Sequence, residues 1–295
     1  MLEICNISKK YNTKDTFFSN KNINLKIDEG EIIGFLGANG AGKTTLIKII
    51  CNLISPTNGK VLINGKDIKD NPDEVHKNVG VVLEGARNVY NFLSIDYNID
   101  YFTYLNKLDP ELIKERKEKL LELFELKEKH DVPVNSLSRG MQQKVAIIVA
   151  LLKNPDILIL DEPTLGLDVV SKEKMIKLLK EIATKFNKTL IVSSHEMNVI
   201  ENLCDKIAFF NKGQLTQYDT INNLKFSNNY TYSDVVVVKQ DNIVEYLKKN
   251  HITYTEEDDF LDFKIKNVVK FISEFPDINV IKIEKEYDKI ESLFN

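Results

Sequence analysis

A chain of 295 residues with 43% hydrophobic and 28% charged residues has room for one large core or two domains. Its formal net charge of −4 gives no reason to expect a nucleic-acid partner. No apolar run approaches the roughly 18–20 residues of a membrane-spanning helix, and the start Met1-Leu2-Glu3-Ile4-Cys5 lacks the basic and apolar segments of a signal peptide. A cytoplasmic location is therefore expected, with Cys5, Cys51 and Cys204, which form no CxxC pair, as reduced thiols.

In chain order, Ile23, Leu25 and Ile27 alternate with polar residues and predict a strand, closed by a turn at Asp28-Glu29-Gly30. Residues 31–36 form an apolar run of buried-strand type. The glycine-rich segment Gly37-Ala38-Asn39-Gly40-Ala41-Gly42-Lys43-Thr44-Thr45 comes next, and then residues 45–51 with helical spacing. Residues 72–129 read as mostly helical, interrupted by a strand over 79–83, and residues 111–126 predict an amphipathic surface helix. A helix over 142–152, a buried strand over 157–160, a helix over 170–186 and a strand over 189–194 continue the alternation. That order predicts an α/β fold with a largely parallel sheet covered on both faces. A hairpin around Asn211-Lys212-Gly213 closes the first domain, expected over residues 1–218. The polar stretch 219–230 reads as a linker. Residues 231–295 predict a small α+β accessory domain in the order β-α-β-α-β, without a chemical motif.

The segment 37–44 fits GxxxxGK[ST] without mismatch, between a strand and a helix as a phosphate loop requires. Gly37, Gly40 and Gly42 let the backbone approach a triphosphate, so that the N–H groups of Ala38, Asn39, Ala41 and their neighbours can surround it. The helix N-terminus adds a favourable field. Lys43 suits the β- and γ-phosphates, and the Thr44 hydroxyl suits Mg²⁺. ATP with Mg²⁺ is the expected ligand. The run 157–160 ends in Asp161-Glu162. An acid pair at a strand end is commonplace, but beside a phosphate loop it suits Mg²⁺ through water at Asp161 and a general base at Glu162. Residues Leu137 to Lys144 precede a helix, and Ser138 could simply cap it.

In this order the motifs resemble the nucleotide-binding subunit of ABC transporters, over residues 1 to about 218. Leu137-Ser138-Arg139-Gly140-Met141-Gln142 looks like that family's LSGGQ signature, Asp161-Glu162 like its Walker B acids, and Leu165-Gly166-Leu167-Asp168 like its D-loop. His195 matches the switch histidine, and Tyr11 the aromatic that stacks on adenine. The resemblance implies a P-loop NTPase core with a helical subdomain at about 86–152. It also implies two subunits meeting head to tail, as a homodimer or with a similar ATPase, so that Ser138 and Gly140 of one complete the phosphate site of the other near Asp168. His195 would contact the γ-phosphate. Two positions depart from the pattern. Glu84 stands where the family has a glutamine near Mg²⁺ and the attacking water, and Arg139 stands where the signature has glycine. Both departures, and a C-terminal accessory domain, are similar to export-type subunits that pair with a separate ABC-2-type permease. The resemblance thus implies ATP hydrolysis at the cytoplasmic face of a membrane, powering export in preference to import, with a drug or antimicrobial peptide as the first candidate cargo and sodium ions or a polymer as the others. The alternative is an ABC ATPase that acts without a permease in translation, repair or assembly. Residues 85–97, just after Glu84, are expected to face the permease. His76, His130 and His251 match no motif.

Overall fold

Continuous apolar runs make the centre of the molecule. In the computed structural model, strands Ile32–Leu36, Ile157–Asp161 and Thr189–Ser194 are buried along their whole length, as expected of parallel strands covered on both faces. The structure describes residues 2–12, 17–85, 88–221, 223, 232–265, 268–276 and 278–286. The expected linker 219–230 therefore lies largely outside the described residues, as do residues 86 and 87 of the segment after Glu84.

The chain divides into two compact units, Met1–Ile221 and Asn222–Asn295. In the first, the strands are β1 (Leu2–Lys9), β2 (Asn20–Ile27), β3 (Ile32–Leu36), β4 (Asn58–Ile63), β5 (Lys66–Asp67), β6 (Val79–Val82), β7 (Ile157–Asp161), β8 (Thr189–Ser194), β9 (Lys206–Asn211) and β10 (Gln214–Thr220). The helices are α1 (Lys43–Ile50), α2 (Pro72–Asn78), α3 (Ile95–Leu105), α4 (Pro110–Leu123), α5 (Arg139–Leu151), α6 (Val169–Lys185) and α7 (Met197–Leu203). One sheet has the order β10-β9-β3-β8-β7-β6, parallel from β9 to β6 with β10 antiparallel at the edge. A second, antiparallel sheet has the order β2-β1-β4-β5. Both sheets share one core with α1: Leu2, Ile4, Ile23, Leu25 and Val61 from the antiparallel sheet meet Ile33, Phe35, Ile159 and Ile191 from the parallel sheet around Leu46, Ile47 and Ile50.

Register then places the chemistry. Leu36 pairs with Ser194 and Asp161 with Ser193, so β3, β7 and β8 end together at the carboxyl edge where open α/β sheets bind ligands. Close packing of α7 on β3 depends on Gly34, where a Cβ would come within 2.5 Å of Ile200 Cγ2. The helices α3, α4 and α5 form the segment between β6 and β7. Lys117 of α4 reaches Asp96 of α3 at 2.7 Å. Buried Asn98 accepts from Tyr90 N at 2.7 Å and donates to Ser94 O at 2.9 Å, which pins the loop leading into α3.

The second unit has its own core of Val235, Val237, Ile243, Leu247, Leu261, Phe263 and Phe271. Its strands β11 (Tyr232–Val238), β12 (Tyr254–Glu257), β13 (Phe260–Ile265) and β14 (Val280–Glu286) pair antiparallel in the order β12-β13-β11-β14. With the helices Asp241–Lys249 and Val268–Glu274 this is a β-α-β-β-α-β unit of ferredoxin-like order, which corrects the expected β-α-β-α-β. The overlooked strand is β12, a mostly exposed edge strand without apolar alternation.

Candidate active site

β3 delivers the glycine loop to α1, whose N-cap is Gly42 at φ +104. A Cβ at Gly42 would come within 2.3 Å of Ser19 O, so this turn requires glycine. The side chains of Ser94, Ser138 and Asp168 cap α3, α5 and α6, whereas α1 has no side-chain cap. Its first-turn N–H groups are thus left for an anion. At Gly40, φ +83, a Cβ would meet no atom within 4 Å, so a ligand can lie directly against the backbone.

Three ionisable groups converge on this loop from different strands and helices: Lys43 (6% exposed) from α1, Asp161 (1%) from β7, and Glu162 (9%) just beyond it. Thr44 Oγ1 donates to Asp161 Oδ2 at 2.9 Å, and Ser193 Oγ donates to Asp161 Oδ1 at 2.5 Å. Lys43 Nζ donates to Gly37 O at 2.6 Å and lies 3.8 Å from Glu162 Oε1. Glu162 Oε2 lies 3.0 Å from His195 Nδ1. Its other oxygen, Oε1, is buried with no hydrogen-bond partner, and is the acceptor this site leaves for a substrate water. The Glu162 backbone sits in the left-handed region at φ +51. Its N–H is held there by Ser193, at 3.0 Å from Oγ and 3.2 Å from O.

Burial sets the electrostatics. It pushes the Glu162 carboxyl above the usual carboxylate range, against the His195 hydrogen bond and the Lys43 charge. It also lowers the Lys43 ammonium, against Glu162, Asp161 and Glu84. Each group is costly to bury charged by itself, and each offsets the other in part.

The remaining motif residues take distinct places. Tyr11 is exposed, with Oη 3.2 Å from Thr45 Oγ1. Glu84 is exposed and lines a cavity of about 310 Å³ with Arg139, Asp161 and Glu162. Helix α5 begins at Arg139, three residues earlier than its expected start, so Arg139 and Gly140 lie in its first turn. Ser138 caps it, accepting from Met141 N at 3.3 Å. Asp168 caps α6, accepting from Ser171 N at 3.0 Å and Ser171 Oγ at 2.6 Å, bonds that hold it below the usual carboxylate range. Among the described residues, the hydrogen bonds of Ser138 and Asp168 go to their own helices and not to the loop 37–45. The structure thus gathers Lys43, Thr44, Asp161, Glu162 and His195 within the chain. It sets Ser138, Gly140 and Asp168 at two helix starts.

Sequence reasoning missed Ser193, which orients both Walker B acids, and Ser19, whose Oγ donates to Thr45 Oγ1 at 2.8 Å.

These residues fit a magnesium nucleotide. The uncapped α1, the open face of Gly40 and the free Glu162 oxygen suit phosphates and water. Thr44 Oγ1 and the Asp161 carboxylate, 2.9 Å apart, are oxygens of the kind that suits Mg²⁺, which keeps waters and takes phosphate oxygens alongside one or two protein ligands. When bound, Mg²⁺ neutralises charge on the phosphates.

Fold and site together define a P-loop ATPase core. A family model for ABC transporters matches residues 20–165. The chain is 34% identical over 216 residues to the ABC transporter ATP-binding protein NatA of Bacillus subtilis, covering 73% of this chain and 87% of that protein. It is 35% identical over 233 residues to the methionine import ATP-binding protein MetN of Histophilus somni, covering 77% and 67%. Among solved structures, the ATP-binding cassette MJ0796, a post-hydrolysis dimer bound to ADP and Pi, superposes with a TM-score of 0.66 at 31% identity over 75% of this chain and 99% of that one. CbiO1 from Clostridium perfringens, part of the ABC transporter complex cbiONQ, gives 0.69 at 25% identity over 84% and 94%. The chain belongs to the ABC transporter family as an ATP-binding subunit. It is an ATPase of the class that binds ATP with Mg²⁺. No described helix is long and apolar enough to cross a membrane.

Proposed function

We propose that two such ATP-binding subunits, identical or similar, close on two ATP molecules at the cytoplasmic face of a membrane and drive export through a separate permease. The observation that carries this reading is the convergence of Lys43, Thr44, Asp161, Glu162 and His195 on the uncapped start of α1.

In this reading the amides of residues 37–45 and the Lys43 ammonium bind the β- and γ-phosphates, Lys43 exchanging its loop carbonyls for phosphate oxygens. Thr44 would ligate Mg²⁺, with Asp161 and Glu84 reaching its shell through water. Glu162 Oε1 accepts the proton of the attacking water as it adds to the γ-phosphorus, while the bond from that phosphorus to the β,γ-bridging oxygen breaks and ADP leaves with the bond's electron pair. His195 orients Glu162 through Nδ1, and its Nε2, when protonated, donates to the γ-phosphate. Tyr11 offers its exposed ring to adenine. Ser138 and Gly140 bring the N-terminus of α5 to the nucleotide of the other subunit, with Asp168 at the same seam. A second copy accounts for them because their bonds within the chain serve only their own helices. In domain terms, residues 1–218 are the ATPase and residues 231–295 an accessory domain.

An exposed apolar surface supports a permease partner. Phe92 is 88% exposed, and Tyr90, Leu93, Tyr97, Tyr101 and Tyr104 lie exposed around it on α3 and the loop before it. A cluster of this kind marks a protein interface. Asn91, next to Phe92 in the chain, lines the same cavity as Glu84, so docking there reaches the hydrolysis cavity. The two motif departures, Glu84 and Arg139, favour export.

Lys43→Ala tests the site. Hydrogen bonds to charged groups are worth about 1.5–3 kcal/mol, so calorimetry should show ATP affinity falling about 10- to 100-fold. Unchanged affinity would contradict the phosphate role of this loop.

A further inference from the structure

The two departures from the family pattern converge in space. Glu84 comes after β6 and adds a negative charge where glutamine is usual. Arg139 opens α5 and adds a positive charge where glycine is usual. The fold brings both to the wall of one cavity of about 310 Å³, which Asp161 and Glu162 also line. Arg139 packs against Gly166 of the loop before α6. Its guanidinium lies over Gly166, where a Cβ would come within 2.7 Å of Nη1. Gly166 turns at φ +74, a conformation that favours glycine and leaves the arginine room.

The charge balance gives this arrangement its meaning. The cavity wall carries the carboxylates of Glu84, Asp161 and Glu162 and one guanidinium. Removing the arginine leaves three carboxylates near an incoming polyanion, with Lys43 as the cation beside them. Glu84 already acts on the site, since it is among the carboxylates that favour the charged form of Lys43. Charges that share a partly enclosed space act on one another across several ångströms, and salt weakens that action.

We propose that Glu84 and Arg139 form a compensating charge pair across this cavity. The arginine offsets the additional carboxylate, so the triphosphate and the attacking water meet about the same net charge as with glutamine and glycine at these positions. Arg139 acts as a positioning and balancing residue; Glu162 still takes the proton. This rests on the reading of residues 37–45, Asp161 and Glu162 as the hydrolysis site.

The test is a double-mutant cycle on the full chain: wild type, Glu84→Gln, Arg139→Gly and the double variant, with kcat and KM for ATP at low and high salt. Arg139→Gly alone should raise KM. The double variant should lose less than the product of the single losses, by about threefold or more, and high salt should shrink that difference. Arg139→Lys should keep the coupling to Glu84, and Arg139→Gln should lose it. Thermal melting monitors folding, and the Lys and Gln variants, which keep a long side chain at the helix start, carry the test if Arg139→Gly does not fold. Multiplicative effects at both salt concentrations, or equal coupling with Lys and Gln, would overturn the pairing. ATP hydrolysis that survives Lys43→Ala in the same assay would instead overturn the site reading beneath it.

Discussion

Glu162 shows how much one residue is made to carry. Its backbone occupies the left-handed region, which costs a non-glycine residue about 1–3 kcal/mol unless its surroundings hold it there. Ser193 does so with two acceptors for its N–H, while Lys43 and His195 flank the carboxylate. Burial raises its pKa above the usual carboxylate range, and only the ionised form can accept a proton. As pH falls through that raised value the base becomes protonated and hydrolysis slows. A pH profile of kcat should therefore show an acid limb above the range where an exposed glutamate titrates, and Glu162→Gln should abolish it along with most of the turnover. A wild-type profile that stays flat down to the usual carboxylate range would refute the assignment. Local spacing, of a phosphate loop and of an apolar run ending in acids, singled out Lys43, Thr44, Asp161 and Glu162, and His195 came from the family resemblance alone. Ser193 and the Arg139–Gly166 contact were not legible. Both depend on which strand neighbours β7 and how α5 meets the loop before α6, and these are long-range facts.

At the level of elements, α1 joins the core to the nucleotide site. Lys43 and Thr44 lie at its start, while Leu46, Ile47 and Ile50 are fully buried between the two sheets. Ile47→Ala should cost about 2–5 kcal/mol of unfolding free energy, the range for truncating a buried branched side chain. Chemical denaturation should show the loss without a change of m-value; a loss under about 1 kcal/mol would mean that α1 is less tightly packed than the structure indicates. Sequence reading found β3, β7 and β8, buried on both faces where apolar residues run without interruption, and also β2, β6, the β9–β10 hairpin, β11, β13 and β14. It gave no bounds to β1, β4 and β5 of the antiparallel sheet or to β12 of the second unit, and of these β4, β5 and β12 are short or largely exposed. An edge strand with one wet face and few apolar residues carries little period-two signal.

For the whole molecule, the site inside one chain is chemically incomplete in a specific way. It holds groups for phosphate, metal and water, while Ser138, Gly140 and Asp168 stand at the starts of α5 and α6 without a bond to the loop 37–45. Of the two, the start of α5, capped by a neutral hydroxyl, suits an anion from elsewhere, whereas the start of α6 is capped by the Asp168 carboxylate. In the proposed function a second copy would supply that anion, and the solved cassette MJ0796 is itself dimeric with ADP and Pi bound. Sedimentation of Glu162→Gln with and without saturating Mg-ATP tests this directly. Lacking its base, the variant should retain ATP and sediment as a dimer with one nucleotide per chain, and as a monomer without nucleotide. A variant that stays monomeric with ATP bound, or that turns ATP over at the wild-type rate, would contradict the two-subunit site.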